Sequence, residues 1–286
     1  MSNSDSTQLI RLARGLEAGG FYGLAKLLRA MAFSQEVKAT NAAGIPRGAE
    51  LMEQMRALMG ELRQNNNDPT LINAIEKGMD AVLQDRTIPH SDIPEVYVSR
   101  TNGDLFLGKP PTITPHHDHW LALREFKPIW YSDPLPPTDL LEALEANPQV
   151  IRNEISGLSA EQLLIAPAEG EWNMHQLLWH IMMAQELLTE RVDLLLTTHY
   201  PNLASKAVWA QQDEQGMTTG EIVEHYLDLR ADLVERLKGL PADDWWRKGW
   251  HDEFGEQTTL SQVTYFTRHE ISHLPQFAEI RQAVEG

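Results

Sequence analysis

The sequence predicts a mainly α protein in two parts. An N-terminal helical region is followed by a small β-hairpin ribbon, and a four-helix bundle with a long crossover makes up the C-terminal part. Three observations support this. Four segments of the second half repeat apolar residues at helical spacing, each behind a capping signal. The charge balance changes abruptly: residues 1–130 hold 14 Lys and Arg against 15 Asp and Glu, and residues 131–286 hold 10 against 26. The change falls at KPIWYSDPLPP, Lys127 to Pro137, where four prolines interrupt any helix. Expected domains are therefore 1–128 and 134–286.

In the N-terminal half, residues 7–43 and 47–84 read as helices. Leu24, Leu27, Leu28 and Met31 form one apolar face, and Leu51, Met55, Leu58 and Met59 another. In VYVSRTNGDLFLG, Val96 to Gly108, alternating apolar residues flank Asn102-Gly103, a strong signal for a two-stranded hairpin.

In the second half, Asp139 with Glu142 opens the first helix, which carries Leu140, Leu141, Leu144, Ile151 and Ile155. Asn173 with Gln176 opens the second, through Leu177, His180, Ile181, Ala184 and Leu188 to about Thr197. Thr218 with Glu221 opens the third, which Gly239 ends, and Thr259 with Gln262 opens the fourth. About twenty residues separate helix two from three and three from four, far more than antiparallel neighbours need, so at least one connection crosses the bundle. Trp209, Trp245, Trp246 and Trp250 lie in these loops and are expected to cover bundle ends, or else to pack the loops as lids.

Composition narrows the function. With no cysteine, disulfides and thiolate metal sites are excluded, and His and carboxylates remain as the strong ligands. A net charge of -17 opposes nucleic acid or an anionic membrane as the main partner. No signal peptide or membrane span is evident, and a cytoplasmic protein acting on a small molecule is expected, with a homodimer allowed.

His269 and His273 stand four apart on the fourth helix, which stacks both imidazoles on one face within reach of one ion. A pair at this spacing needs a third ligand. HEISH, His269 to His273, also matches the zinc-protease motif, but Gln276 and Glu279 stand where the extended motif needs Gly and His, and little chain follows. His180 is the better third partner, in GEWNMHQLLWHI with Trp172 eight residues before it. His175 points to a different face, and His199, His225 and His251 have no partner at metal spacing.

A Trp-entered helix with this His, followed about ninety residues later by HxxxHxxQ, resembles the DinB/YfiT-like family of metal-binding four-helix bundles. Across residues 134–286 the resemblance implies a crossover after helix two, His180, His269 and His273 as ligands, and Gln276 as the Gln of the family's terminal motif. Pro275 departs from the pattern and is expected to kink the helix. Glu270, about 100° around the helix from His269, is expected to orient a ligand at most or to meet solvent, and Gln276 to bond near the open coordination position.

The order of the first half, helices and then a ribbon, resembles the rubrerythrin-like proteins with a degenerate rubredoxin-type ribbon. That resemblance puts Ser99, Asn102, Thr114 and His117 at the positions of the ribbon's cysteines, and Gln35 and Lys38 at those of an iron-binding Glu and His. His116, His117, Asp118 and His119 read as a solvated loop. The family resemblance implies a divalent transition metal, zinc or nickel, and thiol transfer or hydrolysis on a small molecule, with a low-molecular-weight thiol as co-substrate for the former. The alternative is a non-catalytic metal-binding or stress-response interaction module.

Overall fold

Helix breakers divide the N-terminal helical region further than its apolar periodicity shows. The computed structural model describes residues 4–44, 46–65, 68–99, 103–108, 120–122, 135–206 and 216–286. Four helices replace the two expected over 7–43 and 47–84: α1 (Ser4–Ala18), α2 (Tyr22–Ala43), α3 (Gly48–Gln64) and α4 (Pro69–Leu83). Gly20 takes φ +83°, a conformation that ends α1, and Asp68 with Pro69 starts a new helix, the Asp68 side chain accepting from Thr70 N at 2.8 Å. The two breaks are local events that a three-to-four pattern runs straight through.

By contacts the chain forms two compact units, Met1–Asn67 and Asp68–Gly286. In the first, α1 and α2 pack together and Arg29 forks onto Glu17 at 2.8 and 2.9 Å. The second contains α4, the ribbon and the bundle. This division differs from the one drawn at the prolines, whose residues 127–134 lie outside the described residues. Within the second unit the chain after α4 is tied to the bundle. Glu154, fully buried, accepts from Arg86 Nη2 at 3.0 Å and Thr87 N at 3.2 Å, and Glu279 accepts from His90 N at 2.9 Å.

The ribbon has three strands rather than two. β1 (Val96–Ser99) pairs antiparallel with β2 (Leu105–Leu107) on one side and with β3 (Trp120–Ala122) on the other. Gly103 at φ +84° closes the first turn, donating to Ser99 O at 2.9 Å, while Asn102 lies outside the described residues. A three-residue strand that pairs across a long connection leaves no local signal.

The bundle consists of α5 (Pro137–Ile155), α6 (Met174–Thr197), α7 (Thr219–Lys238) and α8 (Thr259–Glu285). Capping boxes open α6 at Asn173 with Gln176 and α7 at Thr218 with Glu221, as their spacing predicts. The other two starts differ. Pro136 precedes α5 with no side-chain cap, and α8 is capped one residue early, by Thr258 with Ser261. Thr259 is fully buried instead, its hydroxyl without a partner among the described residues.

α5 packs on α7 and α8, and α6 packs on the same two helices, so α5 and α6 share one diagonal of the bundle. Two apolar clusters fix direction. Leu140, Leu188, Leu237 and Leu260 belong to one, and Ile151, Met174, Ile222 and Phe277 to the other. α6 and α7 therefore both run from the second cluster to the first, and the chain between them has to return along the bundle, which is the crossover. That connection supplies β4 (Asn202–Leu203), which pairs parallel with β5 (Lys248–His251), itself antiparallel to β6 (Gly255–Thr258). Glycine is required at 249, where a Cβ would sit 2.8 Å from Pro201 O. Of the loop tryptophans, Trp245 is buried, Trp246 and Trp250 are exposed, and Trp209 lies outside the described residues.

Between the clusters lies a polar layer to which all four helices contribute. Arg230 of α7 pairs with Glu270 of α8, both about 95% buried, through Nη1 to Oε1 at 3.0 Å and Nη2 to Oε2. Asn147 Nδ2 of α5 donates to Glu270 Oε1 at 2.7 Å, and Tyr226 OH donates to Oε2 at 3.1 Å. Arg230 Nε donates to Gln185 Oε1 of α6 at 2.8 Å, and its Nη1 donates to Leu144 O at 3.1 Å. That carbonyl is available because Pro148, four residues on within α5, has no N–H to offer it. Burial and the Glu270 charge push the Tyr226 hydroxyl well above its usual pKa.

Among the described residues no helix is long and apolar enough to cross a membrane. Removing one partner of a buried pair strands the other charge, so Glu270→Gln is expected to cost about 3 kcal/mol, read as a lower urea midpoint. The displaced cap makes a second expectation: Thr258→Ala should lose about 1 kcal/mol, whereas Thr259→Val, which removes an unpartnered buried hydroxyl, should lose nothing in the same titration.

Candidate metal centre

Histidines four residues apart face the same way along a helix, and α8 turns His269 and His273 toward α6, where His180 meets them. Their Nε2 atoms converge: His180 to His269 is 3.1 Å and His273 to His269 is 3.2 Å. Ligand nitrogens about 2.0–2.1 Å from a tetrahedral ion stand about 3.3–3.4 Å apart, so the three rings are spaced close to what one small divalent ion requires. Among the described residues these three form the group able to hold an ion.

The surroundings favour the neutral form of two of the rings. Burial, reinforced by His273, lowers the pKa of His269 to about 4, and burial lowers that of His273 as well, Gln276 opposing it. The carbonyl oxygen of Gln276 accepts from His273 Nδ1 at 3.0 Å, which puts the proton on Nδ1 and leaves Nε2 its lone pair. Gln276 therefore acts on the far side of a ligand ring, not beside the open position expected for it. Nδ1 of His269 has no hydrogen-bond partner among the described residues, and that ring is set by packing, with Tyr265 stacked on it at 6.4 Å. Trp172 closes one side, 5.1 Å from the His180 ring and stacked at 6.3 Å on His273.

Glu270 neither meets solvent nor reaches the histidines' ligand atoms. Both its oxygens are engaged in the polar layer, so it is not free to serve as the general base that the HExxH reading requires. Pro275 does not end α8, which continues to Glu285. The carbonyl it leaves without a helix donor belongs to Ile271, a residue 41% exposed and within reach of water.

His180 and His269 open onto a cavity of about 430 Å³. One wall is a stripe of α6, His180, Ala184, Leu187 and Arg191, and Tyr265 and Phe266 of α8 form the facing wall. Sequence reasoning missed the far end of this cavity. Arg191 repeats the stripe of His180 after eleven residues, a signal that was present, but His251 arrives from β5 with no spacing to announce it. The remaining expectations divide. His175 bonds Thr219 Oγ1 at 2.9 Å and His225 bonds Glu186 at 2.9 Å, both away from the triad. Of the ribbon positions Ser99 is described and buried, and Asn102, Thr114 and His117, with the loop His116 to His119, lie outside the described residues. Lys38 of α2 is exposed.

Residues 143–277, which hold all three histidines and Gln276, match the DinB superfamily. Protein YuaE of Bacillus subtilis (strain 168) is 29% identical over 148 residues, covering 46% of this chain and 91% of that protein. A solved structure described as YfiT from Bacillus subtilis, a probable metal-dependent hydrolase with an unusual four-helix bundle topology, aligns at 16% identity and a TM-score of 0.43. It covers 63% of this chain and 95% of that one. The C-terminal bundle is thus similar in sequence to members of the DinB superfamily.

Proposed function

We propose that the bundle is a metal-dependent enzyme that holds one divalent ion on His180, His269 and His273 and acts on a small molecule by hydrolysis or thiol transfer. The observation that carries this reading is the convergence of three Nε2 atoms, from two helices, at the mouth of a cavity large enough for a small substrate. Three imidazoles leave an ion its full double charge and an open position, and the bound ion would supply Lewis acidity to a substrate oxygen or hold a thiol as thiolate. Zinc and nickel both suit this donor set.

The rest is done by this chain's own side chains. Gln276 fixes the tautomer of His273, and Trp172 shuts water out behind the ligands. Ala184, Leu187 and Phe266 give the cavity an apolar middle that holds an organic substrate against the ligand face. With no cysteine in the chain, thiol transfer draws on a free low-molecular-weight thiol as co-substrate. The non-catalytic alternative leaves the cavity without a role.

Metal content by mass spectrometry tests the ligand set. Each of His180→Ala, His269→Ala and His273→Ala should fall from one ion per chain to less than about a tenth of that, since two imidazoles make a poor site. Gln276→Ala should weaken metal affinity about tenfold while leaving the fold intact. Unchanged occupancy in His180→Ala would refute the assignment. Turnover of small esters, or of electrophiles with added thiol, should vanish on chelation and return with zinc.

A pH dependence follows for metal-free protein. Unfolded histidines protonate near pH 6.5, whereas folded His269 does so only at about 4. Between those values the unfolded chain binds more protons, so this contribution is complete above pH 6.5 and is lost as pH falls toward 4. Urea midpoints of chelated protein should fall across that window, and His269→Phe should flatten the fall.

A further inference from the structure

At the end of the cavity remote from the triad, α6 buries a positive charge with no carboxylate on it. Arg191 is 4% exposed, and among the described residues no Asp or Glu lies within ion-pair distance of its guanidinium, Glu190 and Glu253 acting on it only from farther away. Its partners are neutral: Nη1 donates to Gln262 Oε1 at 3.0 Å, and Nη2 donates to Ala204 O at 3.1 Å and faces His251 Nε2 at 2.9 Å. His251 brings no negative charge. Burial together with Arg191 lowers its pKa, which favours the uncharged ring. Arg191 Nε is buried and makes no hydrogen bond among the described residues. The face of Phe266 lies 5.5 Å from the guanidinium carbon.

Burying a guanidinium costs several kcal/mol unless an anion answers it. Two other buried charges of the unit are answered by ion pairs, Arg230 by Glu270 and Glu154 by Arg86. Arg191 has no such ion pair, in a chain of net charge -17 where carboxylates are plentiful. It lies in the wall of a cavity whose opposite end holds the triad; of the other charged residues in the lining, Lys206 is paired with Glu190 and Glu253 is the carboxylate. Eleven residues of helix put the Cα atoms of His180 and Arg191 about 16 Å apart, and the Arg191 side chain leans toward the helix N-terminus, shortening the gap.

We propose that Arg191 is the anion-recognising residue of this cavity, and that the substrate or co-substrate is an elongated organic anion. Its carboxylate or phosphate group meets Arg191, its apolar middle lies along Ala184, Leu187 and Phe266, and its reacting end reaches the triad. A guanidinium held by neutral acceptors keeps its charge for such a group and binds it in a site that bulk water does not screen. The inference deepens the metal reading above and rests on it for the reacting end only.

The test is calorimetric titration of hexanoate and hexan-1-ol, which differ in the terminal anion, into the full chain, both zinc-loaded and chelated. Chelated protein matters because zinc itself binds carboxylates. Hexanoate should bind at least about tenfold more tightly than the alcohol in both states, the size of effect one charge-assisted contact gives. Inorganic phosphate should compete with it. Arg191→Met should erase the preference to within about twofold with zinc content unchanged, and Arg191→Lys should keep part of it. Equal binding of acid and alcohol in the wild type, a preference that disappears on chelation, or a preference that survives in Arg191→Met would overturn the proposal. Where Arg191→Met does not fold, the Nε–H resonance of Arg191 in ¹⁵N-labelled wild type reads the same contact: hexanoate must move it and hexanol must not. A wild type that takes up no zinc yet prefers hexanoate would support this inference and sink the metal reading. One that loads zinc on the triad and shows no preference would do the reverse.

Discussion

Taking the Arg230 guanidinium and the Glu270 carboxylate out of water stabilises nothing unless each remaining N–H and lone pair finds a partner. Here those partners come from every helix of the bundle: Asn147 and the Leu144 carbonyl from α5, Gln185 from α6, Tyr226 from α7 beside Arg230 itself. A slip of any helix by one residue would leave a buried charge incompletely bonded. The apolar clusters on either side have no such discrimination, since Leu, Ile, Met and Phe pack in many registers at small cost. The polar layer therefore selects the register, and the apolar clusters supply most of the stabilisation. The proline at 148 is part of the same device, because an N–H at that position would compete with Arg230 for the Leu144 carbonyl.

That selection reaches the histidines through α8. Glu270 follows His269 directly, so holding Glu270 in the core sets the rotation of the helix. His269 and His273 then face α6. On α6, Gln185 lies five residues beyond His180 and is held by Arg230, which fixes the third ring along the same axis. The site is thus positioned by two rigid helices and not by a loop, an arrangement that keeps ligand atoms spaced to a few tenths of an ångström before any ion arrives. Coupling of this kind explains why a carboxylate one residue from a candidate ligand serves the fold and leaves the chemistry alone.

The acidity of the second half is a property of its outer face. Glu190, Asp193, Glu145 and Glu256 lie on the surface beside Lys206, Arg236, Lys238 and Lys248, pairs worth little individually in water. The interior differs: Arg230 is answered by Glu270 and Glu154 by Arg86, while Arg191 at the cavity wall has no carboxylate within ion-pair distance among the described residues. A net charge alone could not have shown that a cavity beside the triad has a buried arginine in its wall.

By itself the sequence determined the helical class, the four bundle helices, two of their capping boxes and the three histidines that come together. Each of these is written in short-range spacing: three-to-four periodicity, a cap with its partner three residues on, and a His pair one turn apart. Where breakers override periodicity, as at Gly20 and Asp68, the spacing misled. Where a strand pairs only across a long connection, as β3 does, nothing local marked it. Tertiary structure alone decided that Glu270 belongs to the core, that Gln276 bonds the far nitrogen of His273, and that His251 and Arg191 share one end of a cavity. These depend on which side chains from distant segments meet in a medium where an unpaired charge is costly, and no pattern within one segment carries that information.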